Sequence, residues 1–339
     1  MKLSFDQICA AATGAVSVTQ EADGIRFFRF TPEQLTLVQP GVAQYKEKSL
    51  ASAGIRLSFR TDSTTLYLRT LLSPGSTRSY FSFDLTVNGI HTDSMDNFAH
   101  QPIPEGTPMS PRPLGRHEKT FDLGEGEKTV CLYFPWSVIP LLEELSVDDG
   151  SFITPVIPSK KLLVYGDSIS QGYDVCRPHC HHIARLARAL DAQEFNKAIA
   201  GATTHPEMAR LKDPFTPDYI LVAYGTNDWS RGEEPFFARQ YRAMLEAIRD
   251  NYPHTPLFAV TPIWRGEWEE IRPFGPFSTL EDDIRAIAAD VPNVTVISGI
   301  DLVPHRPVLF ADLRLHPNDA GFEHYFNNLW PRICEALKE

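Results

Sequence analysis

From Leu162 onward the chain repeats a single pattern. Strand-length apolar cores stand at 162–165, 195–199, 219–224, 257–260 and 294–297, and segments of helical period fall at 182–190, 236–252, 280–289 and 319–337. In the longest of the inner ones Phe237, Tyr241, Met244, Leu245 and Ile248 share one stripe, the spacing of a helix with one face on a core. Strands that are apolar at nearly every position need cover on both faces, and strands separated by helices are not joined as hairpins. The pattern therefore predicts an α/β unit, a flavodoxin-like doubly wound parallel sheet of five strands. Ligands of such sheets gather beyond the carboxyl ends of the strands.

The first 150 residues follow a different period. Val16 and Val18 flank Ser17 ahead of the turn signal Asp23-Gly24, and 25–30 answers as a second strand, which reads as a hairpin. Ile55, Leu57 and Phe59 alternate with polar residues, 61–64 is polar, and Leu66 and Leu68 resume the alternation, which predicts a second hairpin with one wet face. The run 80–87 enters Asn88-Gly89, a strong hairpin turn. Strands are also expected at 121–123, 130–134 and 145–147, a short helix at 9–12, and a proline-rich surface loop at 101–113. Many short strands with little helical period predict an all-β, jelly-roll-like sandwich over 1–155, and Pro155 and Pro158 mark the linker to an α/β domain at 159–339.

Composition narrows the function. The formal charge is −11 and both halves of the chain are acidic, so neither offers a basic face to nucleic acid or to an anionic membrane. Asp6 and Gln7 interrupt any N-terminal apolar run, no stretch is long enough to span a bilayer, and five scattered cysteines suggest free thiols. The expected setting is cytoplasmic and the expected partner a small molecule. Oligomeric state is left open, a homo-oligomer included.

The first α/β strand runs into Gly166-Asp167-Ser168, delivering a hydroxyl at the sheet edge. Serine catalysis also needs a base, a group that orients the base, and donors for the oxyanion. Asn196 to Gly201 leaves the second strand, Gly225-Thr226-Asn227-Asp228 leaves the third, and Asp312-Leu313-Arg314-Leu315-His316-Pro317-Asn318 forms the loop before the last helix.

These four blocks, in this order at strand ends, resemble those of the SGNH or GDSL-type hydrolases, from about residue 161 to the C-terminus. The resemblance implies Ser168 as nucleophile and first oxyanion donor through its backbone N–H. It implies Gly201 as the second donor, Asn227 as the third, and His316 as general base and then acid. Two positions depart from the family pattern. Ala198 stands where a glycine is usual, and the orienting aspartate, normally three residues before the histidine, would fall on Leu313. Asp312 lies one residue further back and reaches His316 if the loop bulges by one; otherwise a backbone carbonyl orients the ring and the site is a Ser–His dyad. An α/β-hydrolase elbow is set aside, because Gly166-Asp167-Ser168-Ile169-Ser170 lacks its second glycine.

No cofactor and no metal are expected. Cys176-Arg177-Pro178-His179-Cys180-His181-His182 is rich in zinc-type ligands, but its spacing fits no zinc module and it leads into a helix. Trp264 and Arg265 follow a strand end and are expected to wall the substrate pocket, with 268–277 as a loop able to cover it. Asp167 is expected to fix its turn, Asp301 and His305 to lie in a solvated loop, and Cys9, Cys131 and Cys334 to pack. The resemblance implies a serine esterase acting on short-chain esters, acetyl esters first among them. A sandwich joined to such a domain resembles carbohydrate esterases, which makes an acylated saccharide the first choice of substrate. An acyltransferase using the same acyl-enzyme is the first alternative, and a non-catalytic glycan-binding protein the second.

Overall fold

The computed structural model describes residues 1–38, 43–98 and 113–338, so all but Pro113 of the expected 101–113 loop lies outside the described residues. In the C-terminal part the strands Lys160–Gly166, Ala192–Asn196, Tyr219–Ala223, Leu257–Val260 and Val294–Ile297 form one parallel sheet. Their spatial order is second, first, third, fourth, fifth. Leu162 to Tyr165 are wholly buried and alternate between two cores, as strand geometry requires. Leu163 and Tyr165 meet Trp229, Tyr241, Met244 and Leu245, while Leu162 and Val164 meet Ile183, Leu186, Phe322 and Ile333 on the other face. Each such side chain contributes roughly 1.5–3 kcal/mol of hydrophobic stabilisation.

The second strand stops at Asn196, short of the apolar run to Ile199. Asn196 Oδ1 accepts the Ala198 N–H at 3.0 Å and the Ile199 N–H donates to Gly166 O at 3.0 Å, so the chain leaves the ladder and folds across the end of the first strand. With the second and third strands flanking the first, the loops after Asn196 and Ala223 lie on either side of Ser168.

Residues 1–155 form a two-sheet antiparallel sandwich. One sheet holds Ala12–Thr13, Arg56–Thr61, Lys128–Tyr133, Ser82–Val87 and Ile90–Asp96, with Thr154–Pro155 added beside Arg56–Thr61. The other holds Ser17–Glu21, Gly24–Phe28, Val138–Val147, Thr65–Pro74 and Gly115–Asp122. Phe59, Phe83 and Leu132 from the first pack on Phe27, Leu68 and Leu142 from the second. The hairpins at 17–28 and 82–96 form.

The expected hairpin at 55–68 does not form. Arg56–Thr61 pairs with Lys128–Tyr133 while Thr65–Pro74 pairs with Val138–Val147 and Gly115–Asp122, so the chain arches from one sheet to the other. Asp148 holds the arch, its Oδ2 accepting from Thr64 N and Oγ1, both at 2.7 Å. Alternation alone cannot separate a hairpin from an arch, because both turn their apolar faces to the same core. The last strand also begins earlier than its 145–147 core, at Val138.

The N-terminal part is more helical than its period suggests. Phe5–Ala11 and Pro32–Leu37 both open on capping boxes, Ser4 with Gln7 and Thr31 with Gln34, and Ala43–Leu50 follows. The buried Arg29 joins this region to the α/β domain. Its guanidinium donates to Lys48 O and Ala51 O on one side and to Asn196 O and Ala198 O on the other, at 2.6–3.0 Å.

Candidate active site

Gly166 ends the first strand where a β-carbon would strike Ser170 Oγ at 2.5 Å, so only glycine fits without displacement. Asp167 then caps the short helix Ser168–Gln171, its side chain accepting the Ile169 N–H at 3.0 Å. Ser168 is the first residue of that helix and is nearly buried. His316 Nε2 lies 2.9 Å from Ser168 Oγ, and His316 Nδ1 lies 2.8 Å from Asp312 Oδ2. Hydroxyl, imidazole and carboxylate thus form one hydrogen-bonded chain, and the geometry supports the bulged-loop alternative over the dyad.

The bulge itself is visible. Leu313 has φ of 60°, the left-handed region, and its side chain is turned out to solvent. Asp312 Oδ1 accepts the N–H groups of Arg314, Leu315 and His316 at 3.1, 2.7 and 3.1 Å. Burial would raise the pKa of Asp312, but the His316 ring and these backbone donors hold it well below the usual carboxylate range. It stays an anion beside the ring.

The loops on either side of Ser168 are stitched to the nucleophile segment. Asn196 Nδ2 donates to Ser170 O at 2.7 Å and Ala200 N to Gln171 Oε1 at 2.7 Å. Gly201 follows with φ of 81°, a conformation that glycine adopts without strain. Among the described residues, neither the Gly201 nor the Ser168 backbone N–H has an acceptor. Asn227 Nδ2 donates one hydrogen to Ala202 O at 3.0 Å, leaving the other for a ligand. Two carboxyls lie beneath this edge. Burial pushes Asp167 up to about 7, the neighbouring Asp228 adding to the rise, and burial pushes Asp228 up to about 6.

Several residues at the site carry no local sequence signal. Asp174 Oδ2 stands 3.5 Å from His316 Nδ1, a second carboxylate beside the imidazole. Arg78 of the sandwich pairs with it through two N–H groups at 2.7 and 3.0 Å, and Tyr80 Oη donates at 2.7 Å. Burial disfavours the Arg78 charge, yet Asp174 holds its pKa above the ordinary value. Tyr45 Oη donates to Gly201 O at 2.5 Å, Arg231 also donates to Gly201 O, and Lys48 Nζ donates to Ala200 O at 3.0 Å.

Trp264 and Arg265, expected at the pocket wall, are both buried in packing contacts. Trp264 is buried against Phe310 and His305, and Arg265 donates to Thr226 O and Oγ1, both at 3.1 Å, with its guanidinium over Trp229. The cause is the next residue, since Gly266 N donates to Arg314 O at 2.7 Å and draws the segment under the histidine loop. Arg265 thereby braces the turn that carries Asn227. Trp268 and Phe277, within the 268–277 loop, line an apolar cleft of about 200 Å³ with Pro262, Leu280 and Ile300. His305 Nε2 lies 2.9 Å from Ile300 O.

The three imidazoles of 176–182 point in three directions. His179 Nδ1 lies 2.8 Å from Asp84 Oδ2, His181 Nε2 lies 3.0 Å from Ile169 O, and His182 is stacked on Tyr325 and Phe322. Burial pushes His181 down to about 4 and His182 well below its ordinary value, so both are neutral. Asp84, His91 and His179 bring ligand atoms within 4.8 Å of one another, as do Asp174, Asp312 and His316. In the first group the charge of Asp84 is already met: Arg177 lies 3.7 Å away, and against the effect of burial Asp84 raises His179 to about 9, keeping a proton there. The second group is the Ser–His–Asp site itself.

Residues 164–324 match the GDSL-like Lipase/Acylhydrolase family. An arylesterase from Vibrio mimicus is 37% identical over 101 residues, covering 27% of this chain and 50% of that protein, so the chain spans about half the length of this curated relative. Among solved structures, a salicylyl-acyltransferase from a tetracycline biosynthetic pathway superposes with a TM-score of 0.78 at 20% identity, over 96% of this chain and 94% of that one. A Bacteroides ovatus protein described as a GDSL-like lipase gives 0.77 at 18%, over 100% and 98%. A family two carbohydrate esterase from Clostridium thermocellum, in complex with cellohexaose, gives 0.62 at 16%, over 85% and 94%. These three likenesses are of fold.

Proposed function

We propose that this protein, whose residues 164–324 match the GDSL-like Lipase/Acylhydrolase family, is a serine esterase acting on short-chain acyl esters, acetyl esters of carbohydrates first among them. The observation that carries the proposal is the hydrogen-bonded chain Ser168–His316–Asp312, at 2.9 and 2.8 Å.

In this reading Ser168 Oγ attacks the ester carbonyl while His316 Nε2 takes its proton. Asp312 holds the ring with Nδ1 protonated, so that Nε2 is the basic nitrogen, and stabilises the imidazolium that forms. The oxyanion is met by the N–H groups of Ser168 and Gly201 and by Asn227 Nδ2. His316 then donates its proton to the leaving alcohol, and the acyl-enzyme is cleared by a water that the same imidazole deprotonates. No cofactor enters these steps.

The saccharide assignment draws on the fold shared with carbohydrate esterases. The fold shared with an acyltransferase favours a second reading in which an alcohol other than water takes the acyl group. The proposed setting is cytoplasmic, with a small molecule as partner; no helix among the described residues is long and apolar enough to cross a membrane.

A panel of p-nitrophenyl esters of increasing chain length, run on the native protein and on Ser168→Ala, tests the proposal. Turnover is expected to be fastest on the acetyl ester and absent in the variant. Equal turnover in the variant would refute the nucleophile, a long-chain optimum would refute the acetyl preference, and faster release of nitrophenol with added sugar alcohols would favour acyl transfer.

A further inference from the structure

We infer that Lys48, from the N-terminal region, is a positioning residue of the oxyanion hole, acting through the Ala200–Gly201 peptide. The inference rests on the esterase reading. Its starting point is one bond: Lys48 Nζ donates to Ala200 O at 3.0 Å. That carbonyl belongs to the same peptide group as the Gly201 N–H, the proposed second oxyanion donor. A cation bonded to the oxygen of a peptide draws electron density from its nitrogen and strengthens the N–H as a donor, the cooperative effect of chained hydrogen bonds. The ammonium also adds a fixed positive charge behind the place where negative charge develops.

Three further features distinguish this lysine from one that merely packs. Lys48 is buried, and among the described residues it has no carboxylate within ion-pair distance, so its charge is not spent on a counter-ion. The adjoining Gly201–Ala202 peptide is held as well, Tyr45 Oη and Arg231 donating to Gly201 O, so the chain is pinned on both sides of the Gly201 α-carbon. The backbone of Lys48 is itself held, its carbonyl accepting from Arg29 Nη2 at 2.8 Å and from Gln171 Nε2 at 3.2 Å. Gln171 in turn accepts the Ala200 N–H at 2.7 Å. The nucleophile helix, the lysine and the donor loop are thus one network, and the α/β domain alone would lack the charge. Burial, with Arg231 and Arg78 nearby, lowers the pKa of this ammonium, opposed by Glu47, while Tyr45 lies under it.

The test compares Lys48→Gln, which can still donate to Ala200 O but has no charge, with Lys48→Arg, which keeps the charge. The readouts are the rate at which a fluorophosphonate labels Ser168 and the separate kcat and KM for p-nitrophenyl acetate. Labelling and kcat are expected to fall about tenfold in Lys48→Gln, less than the loss of a direct oxyanion donor, with KM within twofold. Lys48→Arg should recover most of both, and thermal melting should report that each variant is folded. Native protein that labels while Lys48→Gln labels at the same rate would overturn the inference, as would equal losses in both variants. If Lys48→Gln does not fold, the native kcat profile decides against Lys48→Arg: a fall at alkaline pH in the native protein that is missing in the arginine variant supports the inference, and identical profiles overturn it. Failure of native protein to label at all would instead refute the esterase reading.

Discussion

Asp312 lies 2.8 Å from the ring nitrogen of His316, four positions further along the chain, because Leu313 adopts φ of 60° and takes up the extra residue. A non-glycine residue in that region costs on the order of 1–2 kcal/mol, offset here by the three backbone N–H groups that converge on Asp312 Oδ1. Asp312→Asn should lower kcat by roughly 10²–10⁴ because an amide can hold the wrong tautomer. Leu313→Gly should keep kcat within about twofold without loss of melting temperature, whereas Leu313→Val should destabilise the fold by about 1 kcal/mol. Steady-state kinetics and thermal melts check all three, and a Leu313→Gly protein with the defect of Asp312→Asn would contradict the role given to the bulge.

Arg78 neutralises the second carboxylate at the imidazole. Arg78→Met leaves Asp174 buried without its cation, at a cost of roughly 3 kcal/mol of stability. Adding Asp174→Asn removes the unpaired carboxylate and should restore most of that stability. Equal melting temperatures in native and Arg78→Met protein would contradict this.

Asp167 should make the native protein less stable as pH rises. Its folded-state pKa is pushed up to about 7 by burial, against about 3.9 for an unfolded aspartate. Between these values the unfolded chain loses a proton that the native state keeps, so stability falls from pH 4 to pH 7, by roughly 4 kcal/mol if the whole shift is expressed. Asp167→Asn keeps an acceptor for the Ile169 N–H and removes the titration. Denaturant unfolding at pH 5 and pH 8 should show a smaller drop in the variant than in the native protein; equal drops would contradict the assignment.

The α/β domain was readable because its information is local. Strands buried on both faces are apolar at each position, as at Leu162 to Tyr165, and each proposed reacting group sits within a few residues of a strand end or a helix start. What could not be read depends on distant approach. Lys48 meets Ala200 across 152 residues and Arg78 meets Asp174 across 96, and no period or motif marks either lysine or arginine as different from a surface cation. The arch at 61–64 was misread because pairing partners, unlike alternation, are not written in the segment itself. The helices Phe5–Ala11 and Pro32–Leu37 did carry a signal, the capping boxes at Ser4 and Thr31, which the strand period around them obscured.

The central claim is that Ser168 Oγ is the attacking atom. Its most direct test is to treat the native protein with a fluorophosphonate and locate the adduct by tandem mass spectrometry, following esterase activity on the same sample. The account predicts one adduct per chain, on Ser168, with activity lost in proportion. Loss of activity with Ser168 unmodified, or full activity with Ser168 fully modified, would contradict it.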